Sequence, residues 1–329
     1  MSASQPFDGL TPSGQARRLR VLAVGALEQH DIEVARVSFV ARAFNTVFRV
    51  DATDGSAYAL RVSPSLRIHA DGCEEAEAAW VAALRNDVGF PTPAVIPARD
   101  GSPVVAARAA GVPDVRTAVC FEWVRGRRLR DGVTAELVRK TGELTAITHE
   151  HGAAHATGVP PAGALVADRP CYFLVGDRLD ELADRYGSVL ADAVDRAQRT
   201  LDGLWRNPPH PPHLLHGDVQ SGNVMVSRGK VVLIDFQDLI WGFELQDVVF
   251  ALVALEAQGF GALAGAFRAG YEAVRPWPDG EPATVAALRA VRHLNVLNYG
   301  LSVRGPGLDQ FVARHTAPIV EWMGSGGSG

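Results

Sequence analysis

Two short apolar runs, Val224–Val226 and Val231–Ile234, flank the polar tetrapeptide Ser227-Arg228-Gly229-Lys230. No other stretch constrains the chain as tightly. β-branched residues on both sides of a Gly-containing turn predict a hairpin. A hairpin folds the chain back on itself, so Asp235, just past the second run, returns beside Asn223, just before the first. Asp218 lies five residues upstream of Asn223. Whatever the chain folds into, the stretch Leu214–Asp247 must place these three polar side chains among short β-rich segments.

The rest of the chain divides by pattern. Residues 1–12 carry no periodic signal, and Ser13 to His30 has Leu19, Leu22, Ala23, Ala26 and Leu27 at helical spacing. Strand-like runs follow at Val34–Val40, Thr46–Val50, Ala57–Val62, Val104–Ala107 and Ala118–Val124, with a helix over Cys73–Asn86. Thr53-Asp54-Gly55 is a good hairpin turn between the second and third. Beyond Thr134 the pattern is helical, over Thr134–Glu150, Arg178–Leu201, Asp247–Gln258, Ala262–Val274 and Thr284–Val303. Asn207–His213, with its prolines, is a connector. We therefore expect an α+β chain of two lobes: an N-terminal segment with a helix (1–33), a small five-stranded antiparallel lobe (34–120), a hinge (121–126) and a larger helical lobe (127–323). A cleft between the lobes is where ligands are expected to bind. The ending GSGGSG (324–329) reads as a linker.

Charge and cysteine content narrow the partners. The net charge of -5 comes without a basic stripe, so nucleic acid is not expected. No apolar run reaches the roughly 20 residues of a membrane span, and the first residues lack a signal-peptide pattern. Cys73, Cys120 and Cys171 are far apart, without metal-ligand spacing, which predicts reduced thiols and a cytoplasmic location.

His216-Gly217-Asp218-Val219-Gln220-Ser221-Gly222-Asn223 fits H-x-D-x-x-x-x-N, the catalytic-loop spacing of protein kinases with Gly in place of Arg. Asp235 follows twelve residues after Asn223. An amide and a carboxylate oxygen at one point suit Mg2+, and Asp218 would accept or orient the proton of an attacking hydroxyl. Phosphoryl transfer mostly requires positioning and charge neutralisation, for which this is a minimal set.

These residues resemble the aminoglycoside phosphotransferase and choline kinase-like superfamily over about Val34 to Met323. HGDVQSGN, IDFQD and Asp247 carry the resemblance, with FEWV-x-G at Phe121–Gly126 and the Gly142, Leu144, His149 pattern. The resemblance implies a bilobal protein-kinase-like fold, Asp218 as the catalytic aspartate, Asn223 and Asp235 as metal ligands, and His216 and Asp247 as supports of the loop. It also implies that backbone groups of Glu122, Trp123 and Val124 meet the base of ATP or GTP.

The small lobe departs from a standard kinase. It has no Gly-rich arch, only Ala41-Arg42-Ala43-Phe44-Asn45-Thr46, where Asn45 and Thr46 resemble relatives that cover the phosphates with a short loop. The third-strand lysine is missing as well. The chain's lysines are Lys140, past the hinge, and Lys230, in the hairpin, whereas Tyr58-Ala59-Leu60-Arg61-Val62 puts Arg61 at the expected position. Arginine stays charged and forks onto phosphate oxygens. Glu77 is its expected partner on the following helix, with Glu74 the runner-up.

The leading expectation is a kinase for a small-molecule hydroxyl, as monomer or homodimer, with an antibiotic preferred as acceptor because the arginine-rich, alanine-rich composition suggests a high-GC genome. Tyr172, Asp177, Asp180, Tyr271 and Trp277 are candidate acceptor contacts. Alternatives are a metabolic kinase (homoserine, choline or amino-sugar type), a stress-response Ser/Thr kinase of the same fold, and a non-catalytic nucleotide-binding pseudokinase.

Overall fold

The computed structural model describes residues 6–305 and 307–325. Its internal contacts separate two units: the chain up to Arg67 with Glu74–Arg125, and Ile68–Cys73 with the chain from Gly126 onward. The first five residues and the last four of the expected linker lie outside the described residues.

The first unit is an antiparallel sheet with two helices. β1 (Val34–Arg42), β2 (Thr46–Ala52) and β3 (Ala57–Val62) form a meander; β4 (Val95–Ile96), β5 (Val105–Ala107) and β6 (Arg116–Glu122) complete the order β1-β2-β3-β6-β4, with β5 also on β6. The Thr53-Asp54-Gly55 turn forms as expected, with Gly55 at φ 86° and the Asp54 carboxylate accepting from the Ser56 amide at 2.8 Å. Alternate residues of β2 are buried, and Phe48, Val50, Leu60, Val62, Ala118 and Cys120 share one face. Against it lies α1 (Pro12–Leu27), presenting Leu19, Leu22, Ala23, Ala26 and Leu27. Thr11 caps this helix, accepting from the Gly14 amide at 3.2 Å, and Pro12 sits where a missing N–H costs nothing. Each fully buried Leu or Phe of this face contributes about 1.5–3 kcal/mol. The sheet thus has six strands, not five. The unforeseen β4 is two residues long and flanked by Pro93 and Pro97, too short for any alternation to show. α2 (Cys73–Val88) carries Glu77, Trp80 and Leu84 inward.

The second unit is mainly helical with two small sheets. β7 (Arg127–Arg128) joins the predicted hairpin, β10 (Val224–Ser227) and β11 (Lys230–Leu233), in the order β11-β10-β7. The other sheet is β8 (Leu165–Val166), β12 (Ile240–Gly242) and β9 (His213–Leu215), with β12 central. Around them run α3 (Ala135–Ala154), α4 (Ala183–Tyr186), α5 (Val189–Arg206), α6 (Glu244–Ala257), α7 (Ala264–Glu272), α8 (Pro282–Val303) and α9 (Leu308–Ser325). The single helix expected over Arg178–Leu201 is broken at Gly187, whose φ of 57° cannot continue a right-handed helix. α9 was not anticipated; it carries Pro318 internally and runs through Gly324 and Ser325, which the linker reading had excluded. α3 and α7 pack backbone to backbone: a Cβ on Gly142 would strike the Phe267 carbonyl, and one on Gly270 the Arg139 carbonyl. Among the described residues, no helix is long and apolar enough to cross a membrane.

Candidate active site

The hairpin delivers the predicted return. Val224 pairs with Leu233, and the Ile234 amide donates to the Asn223 carbonyl at 2.9 Å, so Asp235 emerges next to Asn223. Asp235 is exposed and left-handed, at φ 63° and ψ 67°. A non-glycine residue held there costs of order 1 kcal/mol, a strain that clusters at functional sites.

Asp218 is buried and bound on both oxygens. Oδ2 accepts from Gln220 Nε2 at 2.8 Å and from Asn223 Nδ2 at 2.7 Å, while Oδ1 is ion-paired with Arg292. Burial raises the Asp218 pKa above the usual carboxylate range, opposed by Arg292 and helped by the negative charge of Asp238. For Arg292, burial works against the charge, but Asp218, Tyr172 and Asp238 outweigh it and the pKa rises. The Asn223 amide also donates to the Asp218 carbonyl at 3.0 Å. With its nitrogen so committed, its Oδ1 is the atom left for a cation. An amide oxygen plus the exposed Asp235 carboxylate is an all-oxygen donor set, as a hard divalent cation requires.

The loop carrying Asp218 is fastened from several directions. His216 Nε2 faces the Ile234 carbonyl at 3.2 Å, and its Nδ1 accepts from the Asp218 amide at 3.3 Å. The Gly217 amide donates to Asp247 Oδ1 at 3.1 Å; Asp247 Oδ2 meets His149 Nε2 at 3.0 Å, and His149 Nδ1 meets the Tyr271 hydroxyl at 2.8 Å. Burial would raise Asp247, yet the hydrogen bond and charge of His149 and the Gly217 amide hold it below the usual carboxylate range. Gly217 has φ 78°, and a Cβ there would strike the Asp238 carbonyl. That is why glycine replaces the arginine of the protein-kinase pattern. Ser221 donates to Gln258, Gln258 Nε2 donates to Gln220 at 3.1 Å, and Arg128 donates to the Gly222 carbonyl.

Several of these partners carry no motif signal. Arg292 comes from α8, Gln258 from the end of α6, and His69 from the short Ile68–Cys73 segment. His69 Nε2 lies 2.5 Å from Asp238 Oδ1. Burial pushes the Asp238 pKa up, but His69, followed by Arg292, brings it below the usual value. Tyr172 is buried near Arg292, Asp238 and Asp218, which all act on its hydroxyl; burial raises its pKa. The other candidate acceptor contacts separate. Tyr271 is a fully buried post for His149, Asp177 accepts from the Leu179 amide at 2.9 Å, and Trp277 packs on Tyr271 and Phe267. Asp180 is exposed.

In the first unit, Arg61 and Glu77 form a fork-to-fork pair: Nη1 donates to Oε1 at 2.9 Å and Nη2 is ion-paired with Oε2. Their side chains are 8% and 1% exposed. Arg61 also lies over the Phe121 ring, 5.2 Å from its centroid. The runner-up Glu74 instead accepts from the Thr117 hydroxyl at 2.8 Å. Strand alternation separates the two loop candidates. Thr46 is buried and paired with Val62, on the α1 face, whereas Arg61 is paired with Val47 and Val119, on the other. The Thr46 side chain therefore does not share a face with Arg61. Asn45 lies at the loop tip, its carbonyl accepting from the Ala43 amide at 3.1 Å. At the expected hinge, the Glu122 amide donates to Ala94 and the Trp123 amide to Ala57, and the Arg49 guanidinium sits over the Trp123 ring. Both N–H groups are spent inside the sheet.

Comparison with known proteins bears on this geometry. The sequence pattern described as "Phosphotransferase enzyme family" matches residues 37–285. Among solved structures, a microcompartment-associated aminopropanol kinase superposes with a TM-score of 0.73 at 24% identity, covering 93% of this chain and 98% of that one. An amicoumacin kinase in complex with AMP-PNP, Ca2+ and Ami gives 0.69 at 18% identity, over 95% and 96%. Spectinomycin phosphotransferase in complex with ADP and spectinomycin gives 0.58 at 11%, over 93% and 97%. At these identities the likeness carries the fold. No curated protein matches the chain.

Proposed function

Because the chain belongs to the phosphotransferase enzyme family, we propose that it moves the γ-phosphate of ATP or GTP to a hydroxyl of a small molecule that also bears an amine, with an antibiotic the first acceptor to test. The observation that carries this reading is Asp218, buried, its Oδ2 held by Asn223 and Gln220 and its Oδ1 by Arg292. A carboxylate fixed on both oxygens points one way, and burial makes it a better proton acceptor, so it orients an acceptor hydroxyl and takes its proton. Asn223 Oδ1 and Asp235 are the proposed ligands of Mg2+, which when bound would neutralise charge on the phosphates. Arg61, kept in one orientation by Glu77, is the proposed phosphate-facing cation of the first unit, replacing the absent lysine. His216 and Asp247 are proposed as positioning residues, since both hold backbone of the loop rather than reacting groups.

The amine follows from Asp238. Phosphoryl transfer accumulates negative charge, and His69 and Arg292 offset part of the Asp238 charge, so a cation on the acceptor would complete the balance at this carboxylate. Asp238 acts on Asp218, and its side chain is 24% exposed. A metabolic amino alcohol is the second reading, supported by the aminopropanol kinase among the structural neighbours. The test is phosphate transfer from ATP and GTP across a panel of antibiotics, amino alcohols, homoserine, choline and amino sugars, each paired with its deaminated analogue where one exists. Turnover of an amine-bearing antibiotic supports the first reading. Turnover restricted to a small amino alcohol supports the second, and equal turnover of the deaminated analogues removes the amine from both. Nucleotide binding without transfer to any acceptor would instead favour the pseudokinase.

A further inference from the structure

The proline-rich connector Asn207–His213 contains His210-Pro211-Pro212-His213. Both rings turn the same way. His210 Nδ1 lies 2.9 Å from the Pro211 carbonyl and His213 Nδ1 3.5 Å from it. A carbonyl only accepts, so each Nδ1 facing it carries the ring proton, which leaves Nε2 of each neutral ring with a lone pair. Those lone pairs face a carboxylate. His210 Nε2 meets Glu244 Oε2, and His213 Nε2 lies 3.4 Å from Glu244 Oε1. The His213 side chain is 1% exposed, and its Nε2 makes no hydrogen bond among the described residues. Acceptors converging on acceptors in a buried place need a positive centre between them, either a proton or a metal ion, and the buried His213 Nε2 has no hydrogen bond that a proton would give it.

We propose that His210, His213 and Glu244 form a binding site for a divalent metal ion of the Zn2+ class, separate from the Asn223 and Asp235 oxygens. Two imidazoles and a carboxylate are a donor set that zinc takes, with an outside molecule completing four-coordination. The Nδ1–H bonds to a backbone carbonyl are the outer-shell arrangement that orients ligating histidines. The three ligand atoms lie within 4.8 Å of one another. Tetrahedral ligands at about 2.1 Å from zinc stand about 3.4 Å apart, so closing around an ion needs only small side-chain shifts. Arg275 donates to Glu244 Oε1 at 2.7 Å and so fixes the carboxylate from the side, leaving Oε2 as the coordinating oxygen. His210, 35% exposed, gives the way in from solvent.

The location gives the site a purpose. His213 opens β9, which runs directly into His216 and Gly217, and Glu244 is the first residue of α6, three before Asp247. A bound ion would fasten the two segments that hold the Asp218 loop by its backbone. The ion is thus a brace, and it takes no part in phosphate transfer.

The test uses the full chain stripped with EDTA and kept in excess Mg2+ to occupy the phosphate site. Zn2+ is titrated by calorimetry with a competing chelator, and Co2+ by its visible absorption. We expect one Zn2+ per chain, a higher melting temperature on binding, and a Co2+ spectrum of tetrahedral type. His210→Gln, at a half-exposed position, should weaken Zn2+ binding by more than the roughly 10–100-fold that loss of an outer hydrogen-bond partner costs. Asp235→Asn should leave it unchanged. His213→Ala gives the same loss if it folds, and His210→Gln decides the matter if it does not. Absence of stoichiometric Zn2+ binding, or unaltered affinity in His210→Gln, overturns the proposal and leaves the cluster as a protonated ion pair.

Discussion

The two charged sites of this molecule are built on different plans. Around Arg61 a tight two-point ion pair dominates: a strand arginine, a helix glutamate, two hydrogen bonds and an aromatic ring beneath. Around Asp218 there is a web, with oxygens bound by residues two, five and seventy-four positions away in sequence, and a loop backbone tied to Asp247 and His216. A buried ion pair loses most of its worth in one step when one member is removed, because the remaining charge loses its counter-ion. A web loses one strand at a time, and each loss has its own signature.

Variants can break this contrast. Asp218→Ala should have the largest effect, lowering transfer by about 10²–10⁴-fold while nucleotide affinity measured by titration stays nearly constant. Arg61→Ala should cost about 3–5 kcal/mol in urea unfolding, since the buried Glu77 would lose the guanidinium that meets both of its oxygens. It should also raise the nucleotide KM about 10-fold, a loss of roughly 1.4 kcal/mol of phosphate contact. Unchanged nucleotide affinity in a folded Arg61→Ala protein would remove Arg61 from the phosphate site and leave a purely structural pair. Arg292→Leu sharpens the other side of the comparison. Arg292 lowers the Asp218 pKa against its burial, so its loss raises that pKa further. The acid limb of the kcat/KM profile should then move to higher pH, with nucleotide KM unchanged. An unmoved limb would mean that Arg292 holds Asp218 without tuning it.

An effect confined to acid pH lies elsewhere, between α8 and α9. His293 and His315 face each other, Nδ1 to Nδ1, at 3.1 Å. Burial lowers their pKa values to about 4 and about 3, with Arg289 adding to the effect on His293 and each ring opposed by nearby positive charge. Both values fall below the unfolded value of about 6.5, so the unfolded chain binds protons first as pH drops. Stability is full above about pH 6.5 and falls below it by up to about 1.4 kcal/mol per pH unit for each ring. Thermal melts of wild type and His315→Gln between pH 7 and pH 4 check this: the variant should show the shallower slope.

Much of the architecture was legible where the signal is local. The hairpin that sets Asp235 beside Asn223 and the strand β2 follow from neighbours in sequence, whereas α1, expected from Ser13, starts at Pro12 behind the Thr11 cap. The Arg61–Glu77 pair was also within reach, because a strand followed by one helix leaves few geometries for a charge on each. Glu74 and Glu77 could be ranked but not separated, and the Thr117 hydroxyl decided it. Gly217 was visible only as a departure from a pattern; its reason, the nearby Asp238 carbonyl, needed the fold. β4 and α9 escaped for opposite reasons, one too short to show alternation and the other carrying a proline that reads as a break.

By itself, then, the chain determined its reaction chemistry. H-x-D-x-x-x-x-N, a hairpin and an aspartate form a spacing that backbone geometry converts into one juxtaposition, with little help from elsewhere. Tertiary structure alone decided the electrostatics around that chemistry. Arg292, Asp238, His69 and Tyr172 act on one another only because α8, the 68–73 segment and the loop before α4 converge, and a buried charge is set by whatever surrounds it rather than by what precedes it in sequence. The same holds for His210, His213 and Glu244, where two rings read as punctuation in a proline-rich link until the start of α6 brings a carboxylate against them.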